Sequence, residues 1–77
     1  MSPLAPAGTQ PFTILLNGAR DSVPADTTVQ DLLARLGLPK ERVAVEIDGK
    51  IVRKSDYESS ILTEGCRVEV VSFVGGG

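Results

Sequence analysis

The stretch TTVQDLLARLG, residues 27–37, decides the fold because it is the chain's one segment with a helical period. Its apolar residues recur at i, i+3, i+4 and i+7, which places them on one side of a helix. Gln30, Asp31 and Arg35 fall on the opposite side. The sequence therefore predicts an amphipathic helix that covers a core with four side chains: Val29, Leu32, Leu33 and Leu36.

Both ends of this helix carry boundary signals. Thr27 and Gln30 have the spacing of a capping box, and Thr28 is a competing cap one residue later. At the other end, Gly37 suits the left-handed position that follows a helix, and Pro39 blocks continuation. We therefore expect the helix to stop at Gly37.

A β-hairpin is predicted immediately before the helix. FTILL, residues 12–16, is aromatic and β-branched enough for a strand, and it is followed by Asn17-Gly18. This dipeptide favours a type I′ turn, because both of its residues tolerate positive φ. The chain should then return as a strand over residues 19–23 and turn at residues 24–26.

A second hairpin is predicted after the helix. RVAVEIDGKIV, residues 42–52, alternates apolar residues with others and then reaches Asp48-Gly49. The period of two predicts a half-buried strand, and the Asp-Gly pair predicts a reversal into a strand over residues 50–53. Residues 54–64 form a polar connection, for which we expect three inward anchors: Tyr57, Ile61 and Leu62.

The final strand is predicted over residues 66–74, CRVEVVSFV. Val71 and Phe73 add apolar residues to the face opposite Val68 and Val70, so both faces of its distal half are expected to be covered, as in a central strand. The order strand-strand-helix-strand-strand-strand predicts an α+β fold with a mixed sheet of about five strands and one main helix packed across one face.

Composition excludes several classes of function. The chain has 77 residues, of which 42% are hydrophobic and 23% charged, which is typical of one small globular domain. A net charge of -2 gives no electrostatic case for nucleic acid. No apolar run approaches the length of a membrane span, and no secretion signal is recognisable, so we expect a cytoplasmic protein without a membrane partner.

Catalytic and metal chemistry are also disfavoured. The chain contains no histidine, which removes the usual zinc ligands and histidine-based nucleophilic triads. Cys66 is the single cysteine, and we interpret it as a turn residue before the last strand, because no cationic pocket is evident to activate it. The basic cluster of Lys50, Arg53 and Lys54 is interpreted as ordinary solvated charge, with docking of an acidic partner as the alternative. We predict no catalytic residue and no metal ligand.

Four fragments taken together resemble the ThiS family of thiamine-biosynthesis sulfur carriers. They are FTILLNGAR, TTVQDLL, VAVEIDGKIV and LTEGCRVEVVSFVGGG, which occur in this order between residues 12 and 77, and the last of them ends in glycines. The resemblance implies a ubiquitin-like β-grasp fold, in which the first and last strands lie side by side and parallel. Residues 1–11 hold three of the five prolines and no apolar period, so they are predicted to be a flexible leader. A β-grasp domain at residues 12–74 and a flexible glycine tail at residues 75–77 complete the chain.

The resemblance also implies how the protein is used. In this family the terminal glycine carboxylate is adenylated by a ThiF-like adenylyltransferase that uses ATP, and is then converted to a thiocarboxylate. Sulfur comes from a donor such as a cysteine desulfurase and passes to a ThiG-like thiazole synthase. The chain itself would bind no cofactor. Gly77 would be the covalent carrier site, and Gly75, Gly76 and Gly77 would enter the partner's active site. The residues themselves offer an alternative to a covered distal half of the last strand: Val71 and Phe73 would extend past the helix and form an apolar docking face beside the tail.

Two other interpretations of the same sequence stay open. One is a carrier that resembles the small subunit of molybdopterin synthase, or a ubiquitin-like protein modifier, since both use an activated terminal glycine. The other is a β-grasp interaction module without tail chemistry, because a fold by itself does not fix function.

Overall fold

The computed structural model describes residues 10–73, which form one five-stranded sheet with a helix across it. In chain order the elements are β1 (Phe12–Leu16), β2 (Ala19–Val23), α1 (Val29–Leu36), β3 (Val43–Ile47), β4 (Lys50–Val52) and β5 (Arg67–Ser72). Short 3-10 turns lie at Lys40–Arg42 and Lys54–Asp56. The strand order in the sheet is β2-β1-β5-β3-β4. The predicted α+β architecture is confirmed.

Two tight turns build the hairpins, as the dipeptides predicted. Asn17 and Gly18 have φ values of 51° and 86°, and Asp48 and Gly49 have 51° and 85°. Positive φ at both central positions is what a type I′ turn requires, and its twist matches that of the flanking strands. The turns therefore fix the register of β1 with β2 and of β3 with β4.

The last strand occupies the centre of the sheet. β5 pairs in parallel with β1 through Leu15↔Arg67 and Leu16↔Val68. On its other side β5 pairs antiparallel with all five residues of β3, from Val43↔Ser72 to Ile47↔Val68. The adjacent, parallel first and last strands confirm the ubiquitin-like β-grasp topology.

The helix begins one residue later than the favoured capping box implied. Thr28 is the N-cap: its Oγ1 accepts the Asp31 N–H at 3.0 Å, and its own N–H donates to the Asp31 carboxylate at 3.1 Å. The pairing of Thr27 with Gln30 is therefore wrong. Thr27 is buried and its hydroxyl donates to the Pro24 carbonyl, so it is not free to cap the helix.

The helix ends as predicted, but its last leucine does not join the core. Gly37 has a φ of 72°, and its N–H and that of Leu38 donate to the carbonyls of Ala34 and Leu33. This is a Schellman arrangement, which turns the chain sharply. It places Leu38 against the core, whereas Leu36 stays exposed, contrary to the prediction.

The core lies between α1 and the sheet face that α1 covers. It is made of Ile14, Val23, Val29, Leu32, Leu33, Val43, Val45, Tyr57, Leu62, Cys66 and Val68. Tyr57 and Leu62 are inward anchors, as predicted, but Ile61 is 54% exposed. Ile61 forms an isolated antiparallel bridge with Thr28, and neighbouring side chains in an extended segment point to opposite sides. With Leu62 pointing inward, Ile61 must point outward.

The strand ends and the sheet face that the helix leaves uncovered also differ from the predictions. Arg42 belongs to a 3-10 turn rather than to a strand, and β5 ends at Ser72. The expectation that both faces of its distal half are covered is wrong, because Val71 and Phe73 are 57% and 55% exposed. The fold has a single main helix in the part of the chain that the structure describes, and this helix covers one face only.

Candidate functional site

The candidate site is the end of β5, from which the chain continues towards the glycines. The Phe73 N–H donates to the Arg42 carbonyl at 2.7 Å, so the pairing with the β3 side extends one residue beyond β5. Gly75, Gly76 and Gly77, the predicted tail residues, lie outside the described residues. The structure therefore fixes the position and direction of the chain up to Phe73.

Two turn residues hold β5 from opposite sides. The Asn17 N–H donates to the Val68 carbonyl at 2.8 Å, and its Oδ1 accepts the Val70 N–H at 2.9 Å. On the other side, the Asp48 N–H donates to the Arg67 carbonyl at 2.8 Å, and its Oδ1 accepts the Arg67 N–H at 2.9 Å. Each hairpin turn thus extends the hydrogen bonding of the central strand.

Sequence reasoning assigned Asn17 and Asp48 only their turn role. The available signal was that each turn begins with a residue whose side chain carries a hydrogen-bond acceptor. A turn glycine would give the same backbone conformation without that acceptor. The contacts with β5 depend on strand order, which the dipeptides do not encode.

The sheet face that points away from α1, here called the outer face, is apolar near the end of β5. Val71 and Phe73 lie there, and Ala44 is the cross-strand neighbour of Val71. Ile51, on the short edge strand β4, is 74% exposed on the same face. The two residues predicted as a docking face are therefore solvent-accessible and adjacent to the departing tail.

The outer face becomes charged towards the start of β5. Glu46 and Glu69 are cross-strand neighbours there, and Arg67 lies two residues before Glu69. A depression between the two hairpin turns is lined by Leu15, Gly18, Asp48, Gly49, Arg67 and Glu69. The face is thus divided into an apolar half at the tail and a charged half at the turns.

The described residues offer no metal centre. Residues 10–73 contain no group of three or more His, Cys, Asp or Glu side chains that could hold a metal ion. Cys66 precedes β5 and is buried in the core, as expected of a structural thiol.

Burial raises the pKa of Tyr57 above its usual value of 10.0, and a smaller opposing effect comes from its hydrogen bond with the Val45 backbone. Lys54 Nζ donates to the Val43 carbonyl at 3.2 Å, so one member of the basic cluster supports the fold.

Membrane insertion through a helix finds no support in the fold. Within residues 10–73, no helix combines the length and the apolar character that crossing a bilayer requires.

A β-grasp body whose central strand leads into a glycine-only end defines the ubiquitin-like class of small proteins. The ThiS family matches residues 12–77, a range that includes all three glycines. The sulfur carrier protein ThiS of Bacillus subtilis is 41% identical over 80% of this chain and 96% of that protein. The chain therefore belongs to the ThiS family.

Two further comparisons agree with this family. The crystal structure of the thiamine biosynthesis protein ThiS from Geobacter metallireducens superposes with a TM-score of 0.71 at 29% identity, covering 86% of this chain and 100% of that one. A thiazole synthase of Paramagnetospirillum magneticum is 39% identical over 83% of this chain. The chain spans only 20% of that synthase's length.

Proposed function

We propose that this protein carries sulfur, as a thiocarboxylate on Gly77, to the enzyme that forms the thiazole of thiamine. The observation that carries the proposal is the family match, which extends from residue 12 at the start of β1 to the terminal glycines. The relative from Bacillus subtilis, which is named a sulfur carrier, aligns over almost its whole length.

The chemistry requires activation of the carboxyl by a partner. A terminal carboxyl has a reference pKa of about 3.3 to 3.7, so at neutral pH it is an anion and a poor electrophile. A ThiF-like adenylyltransferase binds ATP, and a Gly77 carboxylate oxygen attacks the α-phosphorus and releases pyrophosphate. Sulfide, or a desulfurase-derived equivalent, then attacks the carbonyl carbon. The C–S bond forms as AMP leaves, and the product is the thiocarboxylate.

The three glycines suit delivery into a narrow active site. Without a Cβ, Gly75, Gly76 and Gly77 present only backbone to the walls of a channel and can adopt angles closed to other residues. Three extended residues reach roughly 10 Å beyond Val74 at about 3.3 to 3.6 Å each. The body of the protein docks, and the glycines carry the reacting carbon to the partner's catalytic groups.

The apolar half of the outer face is the proposed docking surface. Val71 and Phe73 are exposed although they are large and apolar, and they immediately precede the tail. Contact at these residues would fix where the tail leaves the surface, so a partner that recognises them also positions Gly77. The chain itself contributes no bound cofactor to this reaction.

A thiazole synthase similar to ThiG is the proposed acceptor of the sulfur. Support comes from two relatives named thiazole synthase, which match 64 residues each at 39% and 42% identity. A segment resembling this carrier within such enzymes is consistent with the two functions working side by side. We place the reaction in the cytoplasm, where ATP and reduced sulfur are both present.

A mass measurement tests the proposal. The chain is incubated with a ThiF-like adenylyltransferase, ATP and sulfide, and replacement of one carboxyl oxygen by sulfur should add about 16 Da. The matched control has the same sequence with Gly77 carrying a C-terminal amide, which cannot be adenylated. An unchanged mass of the free-acid chain, or an equal gain on the amidated chain, would overturn the proposal. A conjugate in which the Gly77 carboxyl is joined to a lysine amine by an isopeptide bond, with net loss of water, would instead indicate a protein modifier.

A further inference from the structure

On the side of β5 that faces β1, only two of the six strand residues are paired with β1. β1 pairs with Arg67 and Val68 and then turns away at Asn17, whereas β5 continues to Ser72. The backbone groups of successive strand residues point to alternate sides. Because Phe73 donates to the β3 side, the backbone groups of Ser72 and Val70 point to the β1 side.

Three backbone groups on this side of β5 have no partner among residues 10–73. Asn17 Oδ1 takes the Val70 N–H. Within residues 10–73, no backbone or side-chain group bonds to the Val70 carbonyl, the Ser72 N–H or the Ser72 carbonyl. The central strand therefore ends in an open ladder edge, here called the β5 edge, formed by residues 70–72.

The outer edges of the sheet differ from the β5 edge, because both are protected. On β2, the Arg35 guanidinium donates to the Ser22 carbonyl at 2.9 Å and lies 3.7 Å from the Asp21 carboxylate. At the opposite side, β4 has only three residues and begins with Lys50. Covering groups, short length and charge are the usual means of preventing strand addition.

The side chains beside the β5 edge are suited to strand recognition. Val71 and Phe73 are two residues apart, so they project from the same outer face next to the open ladder. In β-augmentation, main-chain hydrogen bonds supply affinity and alternate side chains supply specificity. Residues 70–73 provide both within one turn-free segment.

We propose that the β5 edge accepts an extended segment of the enzyme that activates the Gly77 carboxyl, as an added strand in line with β1. This inference rests on the proposed function. The Ser72 N–H donates to a carbonyl of the added strand, and the carbonyls of Val70 and Ser72 accept its amide hydrogens. Gly77 follows Ser72 by five positions in the sequence, which spans roughly 17 Å in an extended chain at about 3.3 Å per residue. A strand bound here therefore sets the course of the tail towards the active site.

A second copy of this chain fits the edge poorly. Two copies related by a two-fold axis would pair their β5 edges antiparallel. In that arrangement the residues after Ser72 in each copy would run alongside Val68 of the other copy. That space is occupied by Asn17 and the β1–β2 turn. A partner segment has no such constraint, because it can bend away after three or four residues.

Amide hydrogen exchange at single-residue resolution tests the proposal directly. The isotope-labelled chain is measured alone and in complex with the adenylyltransferase that modifies it in the mass assay. The Ser72 amide should exchange freely in the isolated chain and slow by about tenfold or more in the complex. The Val70 amide is the internal control, since Asn17 already protects it in both states. If Gly77 is modified in the complex but the exchange rate of the Ser72 amide is unchanged, the proposed strand addition at the β5 edge is overturned and the proposed function stands. If neither complex nor modification forms, both proposals are overturned.

A pair of variants provides an independent test. Ser72→Pro removes the N–H at the open edge and leaves the hydrogen bonds to β3 in place, because those come from Val71 and Phe73. Ser72→Ala removes the hydroxyl and keeps the N–H. We expect Ser72→Pro to raise the KM for modification about tenfold and Ser72→Ala to leave it unchanged. Equal KM values overturn the proposal. If the Ser72→Pro variant does not fold, the exchange measurement on the unaltered chain decides whether the proposal holds. Protection of the Ser72 amide in the isolated chain, together with a doubled molecular mass, would overturn the proposal and assign the edge to a second copy.

Discussion

Asn17 Oδ1 accepts the amide hydrogen of Val70 at 2.9 Å, joining two residues that are 53 positions apart in the chain. In the described part of the chain, the bond is the last one on the β1 side of β5, at the point where β1 turns away and β5 continues with only β3 beside it. One side chain thus connects the first turn of the fold to the strand that leads to the tail. Its position also marks where the open β5 edge begins.

Removal of the Asn17 side chain should weaken the whole fold. Asn17→Gly keeps the positive φ of the turn but deletes the acceptor, so we expect a loss of about 1 kcal/mol in the free energy of unfolding. Asn17→Asp retains an acceptor oxygen and tolerates the same φ, and it should cost less than half as much. Urea denaturation of the two variants measures the difference. Equal stabilities would show that the bond to Val70 contributes nothing.

The corrected helix cap gives a second stability test. Thr28→Ala removes the oxygen that accepts the Asp31 N–H, and loss of an N-cap of this kind costs about 0.5 to 2 kcal/mol. Gln30→Ala is the control, because Gln30 is exposed and takes no part in the cap. Thermal unfolding monitored by circular dichroism compares them. A larger loss for Gln30→Ala would restore the capping box that the structure contradicts.

We expect the free energy of unfolding to depend on pH in the alkaline range because of Tyr57. Its pKa is raised in the folded state above 10.0, mainly because burial disfavours the phenolate. The folded protein therefore holds this proton more tightly than the unfolded chain. The stabilisation is fully present below about pH 10 and is lost as the pH rises through the folded pKa.

The chain's single tyrosine makes the Tyr57 effect measurable. We expect ultraviolet titration of the phenol to give a higher pKa in the folded protein than in urea. Tyr57→Phe is the control in denaturation experiments, because it retains the ring and removes the titrating group. If the alkaline loss of stability is identical in wild type and Tyr57→Phe, other groups cause it.

The docking face predicts a selective loss of partner activity. Val71→Ser combined with Phe73→Ser should lower kcat/KM for modification of Gly77 roughly tenfold or more, because exposed apolar anchors dominate interface energies. The fold should be retained, since neither side chain belongs to the buried core. Ile61→Ser is matched in exposure, at 54% against 55% for Phe73, but lies in the connection beside the start of α1. Equal effects at Ile61 and Phe73 would refute a localised docking face.

The hairpins and the helix were predictable because their signals are local. Asn17-Gly18 and Asp48-Gly49 specify positive φ within the dipeptides themselves, and the structure places tight turns at both. Gly37 ends the helix for the same reason. The parallel contact of β1 with β5 came from the family resemblance, since the intervening sequence carries no signal for it.

The errors fall where two local patterns compete or where burial depends on distant residues. Thr27 and Thr28 offer equivalent caps, and the contact of Thr27 with Pro24 decides between them. Leu36 satisfies the helical period but loses its core position to Leu38 after the turn at Gly37. Ile61 is hydrophobic, but its neighbour Leu62 is buried, and side chains alternate in an extended segment, so Ile61 points to solvent.

The sequence by itself determined the period of each segment, the two type I′ turns, the end of the helix and the glycines that follow the last strand. These properties depend on neighbouring residues, whose sterics and hydrogen bonding act within a few positions. Only the tertiary structure decided that β5 is central yet half open, that Val71 and Phe73 face solvent, and that Asn17 ends the ladder. Those outcomes follow from which strands are adjacent and where each stops, and both depend on packing between segments far apart in the chain.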